Sequence, residues 1–539
     1  YDGNTANYGI RKTVYNGNNA IEISNDNSVK FLAKNETFEL LQASSSSSSK
    51  SFSSSSSSSN SLSSSDQARV KQLSDEIFSA NADPLKKQLL VNLASEREAL
   101  VKELMRKDPA LFISLAIKES QRNSLPLDIR PYIEKETTLT SKIEVIHIDD
   151  FDNPQNSRFD YFLKDIDGKT KINFYPTSPL YLVSNSVIKA SGFKLGNNFV
   201  SQTNKTNFAV QETPALASMG DQKTLVFLID YTDSPEHPFT KEKAYDLVFN
   251  DQFQEFYKEQ SYNQVSFSGE VVDWYNLNIK ASMWCPDAND IELGQIVKDR
   301  GINLAGYKRI VFLKNTQSSG GLSTVGSYDY KINGQYYNFS LACVGMKSFG
   351  NDSAWGRQPF EWKNFDFVMS HEMGHSLGVW HANGWDCGSK AIGDNCTHME
   401  YGNYFDTMGT GNRALHFNAL DKEILGWIKP SQILEINNSG TYSINPLEKD
   451  SAIKFAKVSN YAQGDTPYYL EYRKAFGFDS KLKEENIYSN QNGLFINKKS
   501  QNYGADMSRL IDASPTTDSW WNDTVKTTLN SNATFADTD

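Results

Sequence analysis

Long apolar runs are missing from this chain of 539 residues. None approaches the roughly 20 apolar residues that a helix needs to span a bilayer, so no transmembrane segment is expected. Positive charge is also scarce: 54 Lys and Arg stand against 65 Asp and Glu, for a formal net charge of −11. Phosphate backbones are bound by basic surfaces, so the charge argues against a nucleic-acid partner. Cysteine is sparse, at Cys285, Cys343, Cys387 and Cys396. No two of them form a C-x-x-C pair, which argues against a zinc ribbon. The even count permits two disulfides in an oxidising compartment, and Cys387 and Cys396, bracketing a short polar loop, are the favoured pair. Four reduced thiols are the alternative. Histidine is scarce too, with seven in the whole chain. The chain begins at Tyr1 rather than Met and is read as processed or partial, which leaves a signal peptide undecided.

What the chain does have is length and aromatic residues. At this size one core is not enough, and roughly three or four domains of about 150 residues are expected. Aromatic residues make up 12% of the chain, with 26 Tyr and 31 Phe, ample for packed β-rich domains. Residues 1–42 alternate apolar and polar groups, as in Ile21-Glu22-Ile23, and predict a short β-rich segment. Residues 43–65 form a flexible linker that is almost all serine and has too little apolar area to offset its ordering entropy. Residues 66–125 predict a helical hairpin. Its helix starts at Asp83-Pro84 and aligns Leu85, Leu89, Leu93, Leu100 and Leu104 on one face, and a second helix starts at Asp108-Pro109. Residues 138–210 read as a small β barrel or sandwich, with a hairpin turn at Asp167-Gly168. From Lys223 strands alternate with helices, for example Thr224–Asp230 followed by Tyr245–Gln260, which marks an α/β domain over residues 220–430. Residues 431–539 alternate again and predict a β-sandwich-like domain. The expected architecture is thus multidomain α+β.

Three of the seven histidines fall within His371-Glu372-Met373-Gly374-His375-Ser376-Leu377-Gly378-Val379-Trp380-His381. On a helix, His371 and His375 project from one face and their imidazoles can converge on one ion. Glu372 stands beside the first ligand, where it can reach a metal-bound water. Gly378 can take the left-handed conformation that ends a helix, turning the chain so that His381 supplies a third nitrogen. Three histidines plus water make an open, catalytic zinc site with Glu372 as general base. The bland reading, three core histidines on an ordinary helix, leaves Glu372 and Gly378 unexplained.

This extended motif resembles that of the metzincin clan of zinc peptidases, HExxHxxGxxH followed by a methionine turn. Tyr404-Phe405-Asp406-Thr407-Met408-Gly409 supplies the candidate turn, with Met408 beneath the metal and Met399 as the runner-up. The Asp-Thr-Met-Gly form and the following stretch His416–Trp427 are most similar to the gametolysin-type peptidases, over about residues 220–430. The resemblance implies an α/β catalytic domain with a mixed sheet and an active-site helix. It also implies one catalytic zinc and peptide-bond hydrolysis. Several metzincin families carry a tyrosine two residues after the methionine to assist the oxyanion; Thr410 stands there, and Tyr401 and Tyr404 are nearby. Matrix-type metzincins block their zinc with a propeptide cysteine. No cysteine precedes Cys285, so residues 1–213 hold no such switch; inhibition by an Asp or by steric cover stays open. Residues 1–213 fit a removed propeptide and retained domains equally well.

Asp386, Asp394, Glu400 and Asp406 follow the motif, but their spacing fits no EF-hand loop, so they read as solvated loop acids and calcium is unsupported. Trp520 and Trp521 are expected in core packing rather than on a glycan. The leading expectation is a secreted zinc metalloendopeptidase acting on extracellular, cell-wall or matrix protein or glycoprotein, with cell-surface association admitted. A zinc hydrolase of a non-peptide amide and a surface adhesion protein carrying the peptidase domain are the alternatives.

Overall fold

The computed structural model describes residues 8–11, 20–23, 29–31, 64–151, 153–165, 168–176, 180–281, 291–315, 320–346, 363–393, 395–409, 414–438, 440–458, 466–483, 494–502, 505–515, 520, 527–529 and 534–536. Most of the serine-rich tract lies outside them, as do Asp167, Cys285, Asp394, Thr410 and Trp521. The chain is mixed α and β and divides into two compact units. One comprises Ser44–Ile148 and Gln155–Ala215; the other comprises Tyr1–Ala43, Asp149–Pro154 and Leu216–Asp539.

In the first unit, Lys135–Asp149 is long enough to serve two partners. Its first half pairs antiparallel with Val187–Leu195 and its second half with Arg158–Asp165. Gly168–Tyr175 and Asn198–Gln202 link those two partners, so the five strands close into a barrel and leave few edges. Helices Ser64–Asn81, Lys87–Lys107 and Pro109–Leu115 belong to the same unit. They bury Val101, Leu104, Met105 and Phe112 against Phe193, Leu195 and Val200 of the barrel. Inside this packing Arg97 makes a bidentate pair with Glu134 at 2.7 and 2.8 Å, both fully buried. Asp83 does cap, accepting from the Leu85 amide, but Leu85 is 94% exposed and Leu89 46% exposed. Pro84–Lys86 form a 3₁₀ turn, and the α-helix starts at Lys87. The change from 3.0 to 3.6 residues per turn shifts the buried face onto Leu90, Leu93, Ala94, Arg97, Val101 and Leu104.

The second unit is built on a sheet in the order Val265–Asn276, Gly220–Asp230, Arg309–Asn315, Gln335–Met346, Gly321–Thr324. The first four strands are parallel, and Gly321–Thr324 runs antiparallel at their end. The central strands read as continuous apolar runs (Leu225–Ile229, Ile310–Leu313) because both faces are covered. The helical stretch expected at Tyr245–Gln260 is two helices, Lys241–Phe249 and Gln252–Gln260, with Asp251 capping the second. Phe253, Phe256 and Tyr257 of the latter pack with Phe267, Met369, Met373 and Trp427 in one large core.

A seven-stranded sheet follows, in the order Thr397–Met399, Asn383–Asp386, Ala505–Ile511, Leu494–Asn502, Tyr468–Tyr472, Phe455–Val458, Ile433–Ile436. It mixes strands just past His381 with strands from near the C-terminus. A smaller sheet pairs Tyr8–Arg11 and Val29–Phe31 with Gly440–Ile444, and Ala20–Ile23 with Thr534–Ala536. Cys387 and Cys396 form a disulfide, and Cys343 is disulfide-bonded as well. Among the described residues no helix is long and apolar enough to cross a membrane.

Candidate metal centre

The helix Lys363–Leu377 carries the first two histidines and Glu372. It is buried all round from Asp366 to Leu377, so tertiary contacts rather than an amphipathic stripe hold it. Tyr257 donates its hydroxyl to the Ser370 carbonyl at 2.6 Å. At the C-terminal end, where helix carbonyls lack partners, the buried Arg309 guanidinium donates to Ser376 O at 2.6 Å and the Gly326 amide to His375 O at 2.8 Å. Gly378 then takes φ +116°, its amide donating to His375 O at 2.8 Å, and the helix ends. A Cβ at Gly378 would lie 2.4 Å from Leu216 Cδ2, so both the turn and the packing require glycine.

That turn brings His381 back to His371 and His375. The three ring centroids stand 4.9, 5.0 and 5.2 Å apart, close to an equilateral triangle. Each ring is fixed from behind. His371 Nδ1 faces Thr407 O at 2.8 Å, His375 Nδ1 faces Val379 O at 2.9 Å, and His381 Nδ1 faces Glu400 Oε1 at 2.5 Å. With an acceptor on every Nδ1, that nitrogen carries a proton in each ring and Nε2 faces the shared centre, where His381 Nε2 hydrogen-bonds Asp149 Oδ1 at 3.1 Å. The buried Nε2 of His371 makes no hydrogen bond, as expected of an atom placed for a ligand.

Glu372 is fully buried beside this centre and rests against the edge strand: a Cβ at Gly321 would sit 1.8 Å from its Oε1. Burial first, and the Asp149 carboxylate next, push its pKa well above the ordinary value. Met408 lies under the helix, where a Cβ at Gly374 would meet its sulfur at 2.4 Å. Its turn is held by Asp406, which accepts from the Met408 amide at 2.8 Å and from Asn418 N at 2.6 Å. Met399, the other candidate, packs instead with Phe405, Leu415 and Trp520.

Three residues of the centre carry no motif. Asp149 is buried at its middle, with Oδ1 3.1 Å from His381 Nε2 and 3.5 Å from His371 Nε2, and Oδ2 3.7 Å from His375 Nε2. The ligand atoms of Asp149, His375 and His381 lie within 4.8 Å of one another and could hold a metal ion; His371 Nε2 lies 3.5 Å from Asp149 Oδ1. Tyr401 donates its hydroxyl to Asp149 Oδ1 and lays its ring 3.8 Å from that of His381. It does so at φ +57°, a strained backbone that persists only where its surroundings hold it, here through its amide to Asn383 Oδ1.

Glu400 corrects the expectation of solvated loop acids. It accepts from His398 at 2.7 Å as well as from His381, and although burial opposes the charge, those two partners hold its carboxyl below the ordinary range. Burial likewise disfavours a charged His381, but Asp149 and Glu400 outweigh it and push the ring up to about 9. Asp406 is a buried turn anchor, and Asp386 accepts from the Gly388 amide. Trp520 is buried on Gly384 and donates to Gly402 O at 3.1 Å, a packing role.

Asp149 and Glu372 place two carboxylates in a fully buried site beside three imidazoles. Two such charges side by side are costly without a cation, and a divalent ion at the Nε2 atoms would offset both. The donor set therefore fits a metal. Comparison with protein-family models and with curated proteins finds no match.

Proposed function

We propose that the chain is a zinc-dependent metalloendopeptidase of the metzincin type, most similar to the gametolysin-type peptidases and acting outside the cell on protein or glycoprotein. One observation carries the reading: three imidazoles whose Nδ1 atoms are all held by acceptors turn Nε2 to one point, with a buried Glu372 beside them. Zinc suits three nitrogen donors and an open position better than magnesium or calcium, which prefer oxygen shells. The Cys387–Cys396 disulfide accords with an oxidising compartment.

A zinc ion held by His371, His375 and His381 would supply Lewis acidity toward water and the scissile carbonyl. Glu372 takes the proton of the attacking water and passes it to the leaving nitrogen. The Thr407, Val379 and Glu400 acceptors keep the imidazoles in one tautomer throughout. Tyr401, whose hydroxyl reaches the Asp149 carboxylate at the centre, is the donor for a developing oxyanion, the role left unassigned by Thr410.

The test is chelator-sensitive casein cleavage by the full chain and by its Asp149→Ala form, each with and without Glu372→Gln. Glu372→Gln is expected to keep one zinc per chain and to lose cleavage by about 10²–10⁴-fold. Zinc-loaded Glu372→Gln protein that cleaves casein as well as its parent would defeat the assignment.

A further inference from the structure

We infer that the Cys387–Cys396 disulfide sets how tightly the metal is held, because it secures the strand that aims Glu400 at His381; this rests on the zinc-site reading above. A hairpin frames His381 on both sides. On its inner strand, Asn383–Asp386, the Asn383 side-chain amide donates to His381 O at 3.0 Å. Just past its outer strand, Thr397–Met399, Glu400 Oε1 faces His381 Nδ1 at 2.5 Å. Partners of this kind fix a ligand's tautomer and ring orientation, and losing one costs about 10–100-fold in metal affinity.

The two strands are held very differently. Asn383–Asp386 lies inside the seven-stranded sheet, with Ala505–Ile511 on one side and Thr397–Met399 on the other. Thr397–Met399 is the edge of that sheet and is paired through Gly384↔Met399, Trp385↔His398 and Asp386↔Thr397. So short a pairing is marginal by itself. The disulfide lies one step beyond the last of these pairs and joins two cysteines nine residues apart in sequence. Glu400 depends on the edge strand twice. Its backbone follows Met399 directly, and its second oxygen, Oε2, accepts from His398 at 2.7 Å. Beyond Glu400 the chain is tied again, by the Tyr401 amide to Asn383 Oδ1 and by Asn403 N to Ala382 O at 3.1 Å. The disulfide and these bonds therefore grip Glu400 from its two sides.

Both cysteines are half-buried, so a small reductant reaches the bond. A dithiol delivers two electrons and two protons to it, leaving two thiols on the protein and a disulfide on itself. The edge strand then has its short ladder and no covalent tie, and His398 and Glu400 move with it. His381 loses the acceptor that fixes its Nδ1 proton, while His371 and His375 keep their backbone acceptors, Thr407 O and Val379 O. One ligand of three is loosened. The oxidised chain holds its metal tightly, and the reduced chain gives it up to weaker competitors.

The experiment measures the zinc affinity of the full chain against a chromogenic chelator, before and after tris(2-carboxyethyl)phosphine. That reagent is taken to its oxide as the two thiols form, with water supplying the oxygen and both protons. Reduction is expected to weaken zinc binding about ten-fold or more. Because it also opens the bond at Cys343, Cys387→Ser/Cys396→Ser is measured alongside. This form is expected to bind as weakly as the reduced parent and to respond to the reagent by less than about two-fold. Glu400→Gln is expected to start about ten-fold or more weaker and likewise to respond by less than about two-fold. Equal zinc affinity of the oxidised and reduced parent overturns the inference while leaving the zinc site intact. So does an undiminished response to reduction in Glu400→Gln, and these two comparisons decide even if the serine form fails to fold. A chain that binds no zinc in either state would instead remove the zinc-site reading, and with it this one.

Discussion

At the scale of single residues, the centre depends on what stands behind each ligand. A histidine offers Nε2 to a metal when something accepts from Nδ1, and this site uses two backbone carbonyls and one carboxylate for that purpose. Two of those acceptors, Thr407 O and Val379 O, are main-chain atoms and have no signature in a sequence. The third, Glu400, was visible only as one of several acids after the motif, and its link to His381 appears when the strand Thr397–Met399 pairs with Asn383–Asp386. Tyr401 is the residue whose role is most open to measurement. Its hydroxyl donates to the carboxylate at the centre, so in the Asp149→Ala background Tyr401→Phe is expected to lower kcat by about 10²-fold while KM changes little. Equal loss in both constants, or none, would mean that the tyrosine serves only to hold Asp149. Because zinc content should not change between the two forms, metal analysis separates this from a damaged site.

At the scale of elements, the helix Lys363–Leu377 and its turn were readable because their constraints are local. His371 and His375 share a face by helical period, and Gly378 sits where a left-handed residue must end the helix; its φ of +116° and its contact with Leu216 supply the physical reason. Gly378→Ala is expected to destabilise the fold by about 1–3 kcal/mol through backbone strain, with further loss from the displaced Leu216. Zinc affinity should fall in the same variant, since His381 is aimed by that turn; thermal unfolding with and without zinc measures both. The helix face at Lys87–Lys107 was less legible. A leucine series beginning at Leu85 matches a continuous α-helix, whereas the 3₁₀ turn at Pro84–Lys86 offsets the phase and leaves Leu85 exposed. Sequence period alone does not reveal where one helical geometry gives way to another. Gly321 makes the same point for the site: nothing near it in sequence indicates that Glu372 rests on its backbone.

At the scale of the whole molecule, distance along the chain decides what could be foreseen. Asp149 lies 232 residues before His381, in an alternating strand that signals only a β element, so no spacing rule reaches it. The strands near the C-terminus were likewise expected as a piece of their own. Ala505–Ile511 pairs parallel with Asn383–Asp386, just past His381, and Trp520 fills the space above Gly384. Arg473, fully buried, pairs with Asp479 at 2.6 Å and donates to Phe405 O, in the approach to the Met408 turn. A chain ending at residue 430 would leave Asn383–Asp386 an open edge and remove Leu482, Phe495, Leu510 and Trp520 from the cluster around Phe405, so it is expected to be degraded by trypsin far faster than the full chain under native conditions. Equal resistance would show that residues 431–539 contribute nothing to the stability of the part that carries the three histidines. The claim on which all of this stands is that His371, His375 and His381 hold one zinc. X-ray absorption at the zinc edge of the full chain, loaded with one equivalent, tests it most directly. Expected are three imidazole nitrogens and oxygen, all at about 2.0–2.2 Å. Fewer than three imidazoles, or a sulfur ligand near 2.3 Å, would contradict it.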